Sequence, residues 1–200
     1  GTVMEIVPRP AQNQAIRLAL EALKSTNRAL VVMATGLGKT LTAALITKEY
    51  QPRKVLFLVH SNFILEHVVS EFGKIFDVSK ISLARYNGLS KNGAAEADMV
   101  FATWQTMGKS LKEWDCSHFD LVIVDEAHHE GAETYRPVAQ YFTAPKLGIT
   151  ATYERSDDAD ICYTFGEPAV NITLEEAIAR GWLPRIEYHV VTDKSLDEKI

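Results

Sequence analysis

The segment at residues 33–40, Met-Ala-Thr-Gly-Leu-Gly-Lys-Thr, constrains the fold of this chain more than any other part of its sequence. It follows a continuous apolar run at residues 29–33, which predicts a buried strand, and it precedes a helix predicted at residues 39–50. A glycine-containing turn between a buried strand and a helix is the context of a phosphate-binding loop, because backbone N–H groups and the helix N-terminus there favour an anion. The segment therefore predicts an α/β domain that binds a nucleotide.

Strand-like and helix-like segments alternate along most of the remaining chain. Short apolar runs predict strands at residues 28–34, 54–60, 81–85, 98–102, 119–124 and 146–149. The helical period of apolar residues predicts helices at residues 11–24, 39–50, 62–76, 104–111 and 134–142. Because parallel strands are joined by helical crossovers, this alternation predicts a mostly parallel sheet with helices on both faces.

Towards its carboxyl end the chain shows a different pattern. Residues 153–160 are polar and acidic and predict a surface loop. A capping box at Thr173 predicts the start of another helix, and alternating apolar residues at 185–192 predict a strand. We therefore expect one nucleotide-binding domain at residues 1–183, followed at residues 184–200 by the start of a linker or second domain that the chain cuts short.

The composition excludes several classes of protein. Of 200 residues, 46% are hydrophobic and 24% are charged, which is ordinary for a globular domain and excludes a disordered or collagen-like chain. No apolar run approaches the roughly 18 residues that a membrane-spanning helix needs. The two cysteines, Cys116 and Cys162, form no metal-binding or disulfide pattern, so we interpret them as buried, reduced thiols of a cytoplasmic protein.

The net charge of −5 conceals an uneven distribution. Residues 1–110 carry 13 basic and 8 acidic side chains, a charge of +5, whereas residues 111–200 carry 8 and 18, a charge of −10. The total argues against a basic sleeve for nucleic acid, but a chain divided in this way can bind a polyanion with one region. Ordinary variation of surface charge explains the same numbers equally well, so the motifs have to decide.

The residue types in the glycine-containing segment fit a phosphate-binding loop. Gly36 and Gly38 allow the backbone to turn its N–H groups toward phosphate oxygens. The ammonium group of Lys39 would reach the β- and γ-phosphates, and the hydroxyl of Thr40 would be a Mg²⁺ ligand. The strict pattern has glycine where this chain has Met33, so the match is imperfect. The predicted nucleotide-binding residues are Thr35, Gly36, Leu37, Gly38, Lys39 and Thr40.

Two carboxylates, Asp125 and Glu126, directly follow the apolar run at residues 121–124, which predicts a buried strand. Ligands of open α/β sheets bind at the carboxyl ends of the strands, so both side chains are expected beside the phosphate-binding loop. Asp125 is predicted to hold Mg²⁺ opposite Thr40, and Glu126 to orient and activate the attacking water. One acidic strand end commonly just solvates a turn, but a pair in a chain that also carries the loop predicts binding of a nucleoside triphosphate.

Two histidines follow these carboxylates. His128 and His129 are adjacent, so their side chains point apart, and no cysteine or third histidine lies at ligand spacing, which argues against a zinc site. We expect His128 instead to hydrogen-bond toward Thr150 or Thr152, which follow the predicted strand at residues 146–149. These contacts would link the nucleotide site to another strand end, although a pair of threonines by itself is usually a satisfied turn.

Together these segments resemble the first RecA-like domain of superfamily 2 helicases and translocases, in the DEAD/DEAH branch found in restriction-enzyme motor subunits and repair helicases. Residues 34–40 are similar to motif I of that family, residues 125–128 (Asp-Glu-Ala-His) to motif II, and residues 150–152 (Thr-Ala-Thr) to motif III, which couples ATP hydrolysis to movement. Residues 9–12 resemble the upstream adenine-recognition element, with Gln12 as the amide that reads the base.

The resemblance also implies where nucleic acid binds. Residues 58–61 are similar to motif Ia, and residues 102–105 to a neighbouring motif that contacts the tracking strand. The arginine-containing sequence usual after motif Ia is absent, and Tyr153 stands where proline commonly follows motif III. Trp104 could stack on a base, although packing in the core is the favoured interpretation. The implied nucleic-acid-binding residues are Ser61, Asn62, Thr103 and Gln105.

The resemblance covers residues 8–191 and implies a RecA-like P-loop NTPase fold, ATP and Mg²⁺ as cofactors, and a second RecA-like domain outside this chain. It also implies nucleic acid as the partner, with DNA favoured over RNA and RNA left as the alternative. The chain would then be the ATP-binding motor domain of an ATP-dependent DNA helicase or translocase, with low activity in isolation because arginines of the second domain are missing. A subunit that translocates on double-stranded DNA in a restriction-type enzyme, and a nonhydrolytic module that senses ATP, remain as alternatives. Glu126 argues against the second, because a sensor has little need of a group that activates water.

Overall fold

The computed structural model describes residues 8–127 and 129–182, and the strand predicted at residues 185–192 lies outside them. The described strands are β1 (Arg28–Met33), β2 (Val55–Val59), β3 (Leu83–Tyr86), β4 (Met99–Thr103), β5 (Leu121–Asp125), β6 (Lys146–Thr150) and β7 (Pro168–Ile172). The described α-helices are α1 (Pro10–Thr26), α2 (Lys39–Tyr50), α3 (Asn62–Ile75), α4 (Trp104–Lys109), α5 (Ala132–Tyr141), α6 (Arg155–Asp158), α7 (Cys162–Phe165) and α8 (Leu174–Ala179). Short 3₁₀ helices occupy Leu111–Glu113, His129–Gly131 and Ala159–Ile161. In this part of the chain, none of the helices combines the length and the apolar character that crossing a bilayer requires.

The strands form one sheet in the order β3-β4-β2-β5-β6-β1-β7, and each neighbouring pair is parallel. Every strand therefore ends at the same edge of the sheet, which we call the carboxyl edge, and begins at the opposite, amino edge. Strands β2, β4 and β5 are buried at every position, as strands covered on both faces must be. The prediction of a parallel α/β sheet is confirmed.

Helices cover both faces of the sheet, because successive strand residues direct their side chains to opposite sides. Helices α1, α2 and α3 pack on one face, where the rings of Phe57, Phe72 and Phe101 contact one another. Helices α4, α5 and α7 pack on the other face, where Tyr135 and Phe165 are fully buried. The predicted cover on both sides is also confirmed.

Residues 153–160 do not form the surface loop that their polarity predicts. They include α6, because the acidic side chains find partners within the segment and on a neighbouring helix. Asp158 is buried and accepts a hydrogen bond from the N–H of Glu154 at 2.7 Å. Asp160 pairs with Arg136 of α5 at 2.8 Å. The predicted surface location is right for residues 154–157, which are exposed, but the predicted loop is wrong because this segment contains a helical turn.

Strand β7 is a feature that no sequence pattern predicts. It begins with Pro168, which is tolerated at the first position of an edge strand, and it lies beside β1 at the end of the sheet. The predicted cap of the helix that follows is present, since the hydroxyl of Thr173 accepts a hydrogen bond from the N–H of Glu176 at 3.0 Å. The sheet therefore extends one strand beyond the prediction, and β1 is not an edge strand.

The two cysteines are free thiols, but neither is fully buried. Cys116 is exposed because it lies in the loop that leads into β5, and Cys162 is half-buried at the start of α7. The prediction that both thiols are buried is therefore wrong.

Gly148 in β6 leaves room for the ring of Phe165. A Cβ atom at position 148 would lie 2.7 Å from Cγ of Phe165, closer than real contacts allow. We expect Gly148→Ala to lower the free energy of unfolding by about 1–3 kcal/mol, the usual cost of overpacking a core. Urea unfolding measures this change. Gly73→Ala in α3 is the control and should not be destabilised, because apart from its own helix turn and chain neighbours no atom lies within 4 Å of its Cβ position. Equal stability of Gly148→Ala and wild type would contradict the prediction.

Candidate nucleotide site and strand-binding edge

The loop between β1 and α2 has the backbone conformation of an anion cradle. Gly36 and Gly38 have φ angles of 93° and 81°, in the left-handed region that favours glycine. The N–H of Ala34 donates to the carbonyl of Ile172 at 3.0 Å, and the buried side chain of Leu37 anchors the loop. Gly38 begins α2, and no described side chain caps this helix, so its first N–H groups suit an anionic ligand.

Lys39, the first residue of α2, joins both predicted carboxylates. Its Nζ lies 3.0 Å from Oδ1 of Asp125 and 2.7 Å from Oε2 of Glu126. Burial lowers the pKa of Lys39, but the charges of the two carboxylates and their hydrogen bonds outweigh burial, so the net pKa is raised. The structure thus brings together the three charged groups that the sequence predicts for one site, although Lys39 and Asp125 are 86 positions apart.

Asp125 and Glu126 lie in different environments at the end of β5. The side chain of Asp125 is 5% exposed, whereas that of Glu126 is 31% exposed. Burial raises the pKa of Asp125, and the nearby ammonium group of Lys39 offsets only part of the rise. Glu126 has a φ angle of 56°, uncommon outside glycine, and its N–H donates to Oδ1 of Asp125 at 3.0 Å. The buried carboxylate suits a fixed metal ligand, and the half-buried one suits a group that water can reach.

One open cavity of about 470 Å³ contains the predicted site. Its lining includes Thr35, Gly36, Gly38, Lys39, Thr40, Asp125 and Glu126. A larger cavity of about 750 Å³ lies at the amino edge, beside Asp98 and Met99, and includes none of these residues. Size alone would therefore favour the cavity at the amino edge, whereas the charges and the glycine conformations favour the smaller one as the candidate site.

Gln12 lies against the phosphate-binding loop, but its amide is committed to the backbone. Its Oε1 accepts from the N–H of Arg9 at 3.0 Å, and its Nε2 donates to the carbonyl of Gly38 at 3.4 Å. The side chain is buried, whereas Arg9 lines the cavity. The structure places Gln12 next to the site, and its contact with adenine stays a prediction.

Of the predicted coupling residues, Thr150 ends β6, the strand beside β5, and Thr152 follows it. The described hydrogen bond between the two strand ends is formed by backbone atoms. Thr150 is fully buried, and its hydroxyl donates to the carbonyl of Thr152 at 2.9 Å. The N–H of Ala127 donates to the carbonyl of Ile149 at 2.9 Å and so ties the segment after Glu126 to β6. His128 lies outside the described residues, and its predicted hydrogen bond stays a prediction.

The four predicted nucleic-acid-binding residues lie at the carboxyl edge, where β2 and β4 end. The hydroxyl of Ser61 caps α3 by accepting from the N–H of Ile64 at 3.3 Å, and that of Thr103 caps α4 by accepting from the N–H of Thr106 at 3.4 Å. A capping hydroxyl accepts with a lone pair and still has an O–H to donate. Ser61 is half-buried, whereas Thr103 is 7% exposed, so Ser61 is the more accessible of the two. The other two residues, Asn62 and Gln105, are exposed beside them.

Two aromatic residues at this edge differ from each other in exposure. Trp104 is 4% exposed and packs in the core, which confirms the favoured interpretation over base stacking. Phe63, in the first turn of α3, is 85% exposed and was not among the predicted site residues. The available signal was the helical period of α3, which places Phe63 off the apolar face formed by Leu65, Val68 and Phe72.

The fold and the site together define a RecA-like P-loop NTPase of the helicase and translocase class. The chain belongs to the family described as type III restriction enzyme, res subunit, whose model matches residues 5–155.

Known relatives include restriction enzymes and helicases. The chain is 30% identical over 191 residues to the type I restriction enzyme EcoAI endonuclease subunit of Escherichia coli, covering 88% of this chain and 23% of that protein. It is 27% identical over 194 residues to the putative ATP-dependent helicase IRC3 of Saccharomyces cerevisiae, covering 88% of this chain and 28% of that protein. Its fold is similar to that of a nuclease-deletion mutant of the Type ISP restriction-modification enzyme LlaGI in complex with a DNA substrate mimic, with a TM-score of 0.68. The two chains are 22% identical, and the match covers 88% of this chain and 21% of the LlaGI chain. The chain therefore spans about a quarter of the length of these proteins.

Proposed function

We propose that this chain is the ATP-binding motor domain of an ATP-dependent DNA helicase or translocase. The observation that carries the proposal is the pairing of Lys39 with Asp125 and Glu126 beside the anion cradle at residues 36–38. The family and the two curated relatives, a restriction enzyme subunit and a putative helicase, support it. In this proposal, the domain couples hydrolysis of ATP to movement along nucleic acid.

Lys39 is proposed to exchange its partners when ATP binds. Its ammonium group is shared by two carboxylates, and the β- and γ-phosphates of ATP would compete for the same donors. Lys39 then leaves Asp125 and Glu126 available for the metal and for water. Gln12 is proposed to read the adenine base through the N–H of Nε2 that it does not donate to Gly38.

The residues present fit Mg²⁺ as the metal of this site. The hydroxyl of Thr40 and the carboxylate of Asp125 line one cavity, and Mg²⁺ is commonly bound by one or two protein oxygens together with phosphate oxygens and water. Within residues 8–127 and 129–182, no group of three His, Cys, Asp or Glu side chains could hold a metal ion alone, which agrees with a cation bound together with the nucleotide. The metal would neutralise negative charge that develops on the phosphates.

Glu126 is proposed to accept the proton of the attacking water. Its carboxylate is partly exposed, so water can reach it, and it lies at the same lysine that would hold the phosphates. Asp125 is too buried for this role and is proposed as the metal ligand. Thr150, Thr152 and His128 are proposed to transmit the state of the nucleotide, supported by the hydrogen bond between Ala127 and Ile149.

Nucleic acid is proposed to bind at the carboxyl edge, where β2 and β4 end. The hydroxyls of Ser61 and Thr103 and the amides of Asn62 and Gln105 supply neutral donors, which suit contacts to phosphates and sugars. DNA is proposed over RNA because the curated relative with 30% identity is a restriction enzyme subunit. The fold neighbour LlaGI was solved with a DNA substrate mimic.

Full activity is proposed to need a second RecA-like domain. Motors of this kind use arginines across a cleft, which contribute about 10³–10⁵ to the rate. The curated relatives are about four times as long as this chain, which leaves room for such a domain. Hydrolysis by residues 1–200 alone is therefore expected to be slow.

Residues 184–200 are proposed to lead into the linker or second domain. The free thiols fit a cytoplasmic protein.

Steady-state ATP hydrolysis by the full-length protein tests this proposal. With Mg²⁺ present, we expect hydrolysis of ATP to rise when single- or double-stranded DNA is added, and to rise less with RNA of the same length. A protein that binds ATP without hydrolysing it under any of these conditions would be the nonhydrolytic module instead.

The relation to a restriction enzyme subunit favours one variant of the proposal, a motor that translocates on double-stranded DNA without separating its strands. Displacement of a third strand from a triplex reports translocation, whereas displacement of one strand from a forked duplex reports unwinding. Triplex displacement without strand separation would identify a translocase, and strand separation would identify a helicase.

Phe63 provides a prediction about the proposed DNA-binding edge. An exposed aromatic beside neutral donors can stack on an unpaired base, so Phe63→Ala is expected to weaken binding of oligo(dT) about 10-fold. Fluorescence anisotropy measures this affinity. An abasic oligonucleotide of equal length has no base to stack, so it should bind wild type and Phe63→Ala with equal affinity. Tyr163→Ala is the matched control, because Tyr163 is 83% exposed but lies at the amino edge, where its carbonyl accepts from Arg28. Unchanged binding of oligo(dT) by Phe63→Ala would contradict the prediction.

A further inference from the structure

We infer that Trp104 is a positioning residue that transmits binding of a nucleic-acid strand at the carboxyl edge to the segment that carries Glu126. The inference rests on the proposed function and adds a route within this domain for nucleic acid to stimulate hydrolysis. The route consists of side-chain contacts between the ends of β2 and β4 and the start of α5.

Trp104 lies between the two proposed strand-binding segments. It is the first residue of α4, with Thr103 before it and Gln105 after it. Its ring packs edge-on against His60, at a centroid distance of 5.4 Å, and His60 directly precedes Ser61. A nucleic-acid strand that binds at either segment therefore acts on residues that are chain neighbours of Trp104 or that adjoin His60, which packs against its ring.

The six-membered ring of the Trp104 indole also lies against Gly131. A Cβ atom at position 131 would lie 2.4 Å from Cη2 and 2.5 Å from Cζ3 of Trp104, far inside van der Waals contact. Gly131 has a φ angle of −109°, which other residues adopt readily, so its backbone conformation does not require glycine. The close approach of Trp104 requires it.

Gly131 connects the ring to the catalytic segment. It ends the 3₁₀ helix that begins at His129, three positions after Glu126, and it precedes α5. Tyr135 of α5 also contacts the ring of Trp104, at a centroid distance of 5.2 Å. Trp104, Gly131 and Glu126 line the same cavity of about 290 Å³.

The contact between Trp104 and Gly131 leaves no space for the ring to move toward the start of α5, although a cavity adjoins it elsewhere. Closely packed elements move in discrete steps rather than deform gradually, so a shift of α4 caused by a bound strand must move Gly131 or be resisted by it. Glu126 is held by Lys39 in the structure described. In this inference, the contact of Trp104 with Gly131, five positions after Glu126, is what lets a bound nucleic-acid strand alter how readily Glu126 leaves this lysine to meet water.

The test compares two tryptophan substitutions in the full-length protein. Trp104→Phe is expected to leave ATP hydrolysis without DNA within about twofold of wild type and to lower the stimulation factor by about 5-fold or more, the range of ordinary coupling between sites. Trp114→Phe is the matched control, because Trp114 is buried on the same face of the sheet but packs against Tyr86 and Phe119. It is expected to keep the wild-type stimulation factor.

A second pair of variants separates coupling from folding. Gly131→Ala should lower the melting temperature because its methyl group meets the outer indole atoms, which phenylalanine lacks. In Trp104→Phe/Gly131→Ala, the melting temperature should recover towards that of Trp104→Phe, while the stimulation factor stays low. A stimulation factor of wild-type size in Trp104→Phe, or an equal loss of basal and stimulated rates, would overturn the inference and leave the proposed function standing. Absence of any stimulation in the wild-type protein would instead overturn the proposed function.

Discussion

Replacement of Lys39 by alanine is expected to lower DNA-stimulated ATP hydrolysis at least about 100-fold in the full-length protein. In other enzymes, removal of one hydrogen-bond donor that stabilises charge in the transition state has an effect of this size. Lys39 begins α2 beside the anion cradle and touches both carboxylates, so it is placed to hold the phosphates. Steady-state measurement of kcat and KM with saturating DNA gives the loss. Lys48→Ala, an exposed lysine of the same helix, is the control and should hydrolyse ATP like wild type. More than a tenth of the wild-type kcat in Lys39→Ala would contradict the assignment.

The same substitution should also destabilise the nucleotide-free protein. Without Lys39, the carboxylate of Asp125 is buried and loses its cation, which commonly costs about 3 kcal/mol. Lys39→Ala/Asp125→Asn should therefore recover stability in urea unfolding without recovering hydrolysis. This pair separates a folding defect from a catalytic one.

The pH dependence of this stabilisation has a defined sign. The pKa of Lys39 is raised in the folded protein, so its contribution is complete below the ordinary value of 10.5 and is lost as the pH rises through the raised value. The stability difference between wild type and Lys39→Ala should therefore be present at neutral pH and shrink in strongly alkaline solution.

Glu126→Gln is expected to keep ATP binding and to lower the rate of hydrolysis by about 10²–10⁴, the range for loss of a general base. The amide keeps the shape of the side chain but cannot accept the proton of water. Single-turnover hydrolysis and equilibrium binding of a fluorescent ATP analogue measure the two properties separately. Glu133→Gln in the first turn of α5 is the control, since Glu133 is exposed and lies outside the nucleotide cavity. A rate above a third of wild type in Glu126→Gln would assign the base to another group.

The position of the candidate nucleotide site can be predicted from the sequence because the sheet is parallel. A buried strand ends before Ala34 and another ends at Asp125, and parallel strands bring both ends to one edge. A contact between side chains at these two strand ends could be expected once a parallel sheet was predicted, although β6 lies between β5 and β1. The left-handed turn at Glu126 could not, because nothing in its residue type favours a φ angle of 56°.

The features that the sequence does not reveal depend on packing between distant segments. Gly131 and Gly148 look like ordinary glycines until Trp104 and Phe165 are found against them. The exposure of Phe63 depends on which residues of α3 the sheet covers. Side-chain volumes that meet across the fold leave no local pattern, so these residues emerge only from the structure.

Strand β7 has a consequence for how this domain can be divided. The family match ends at residue 155, but Pro168–Ile172 pairs with β1, and its last residue accepts the hydrogen bond that fixes Ala34 at the start of the phosphate-binding loop. A fragment trimmed to the matched region would expose one side of β1 as an unpaired edge, which invites aggregation. The unit that completes the sheet is therefore longer than the part that the family model matches, and it extends through β7.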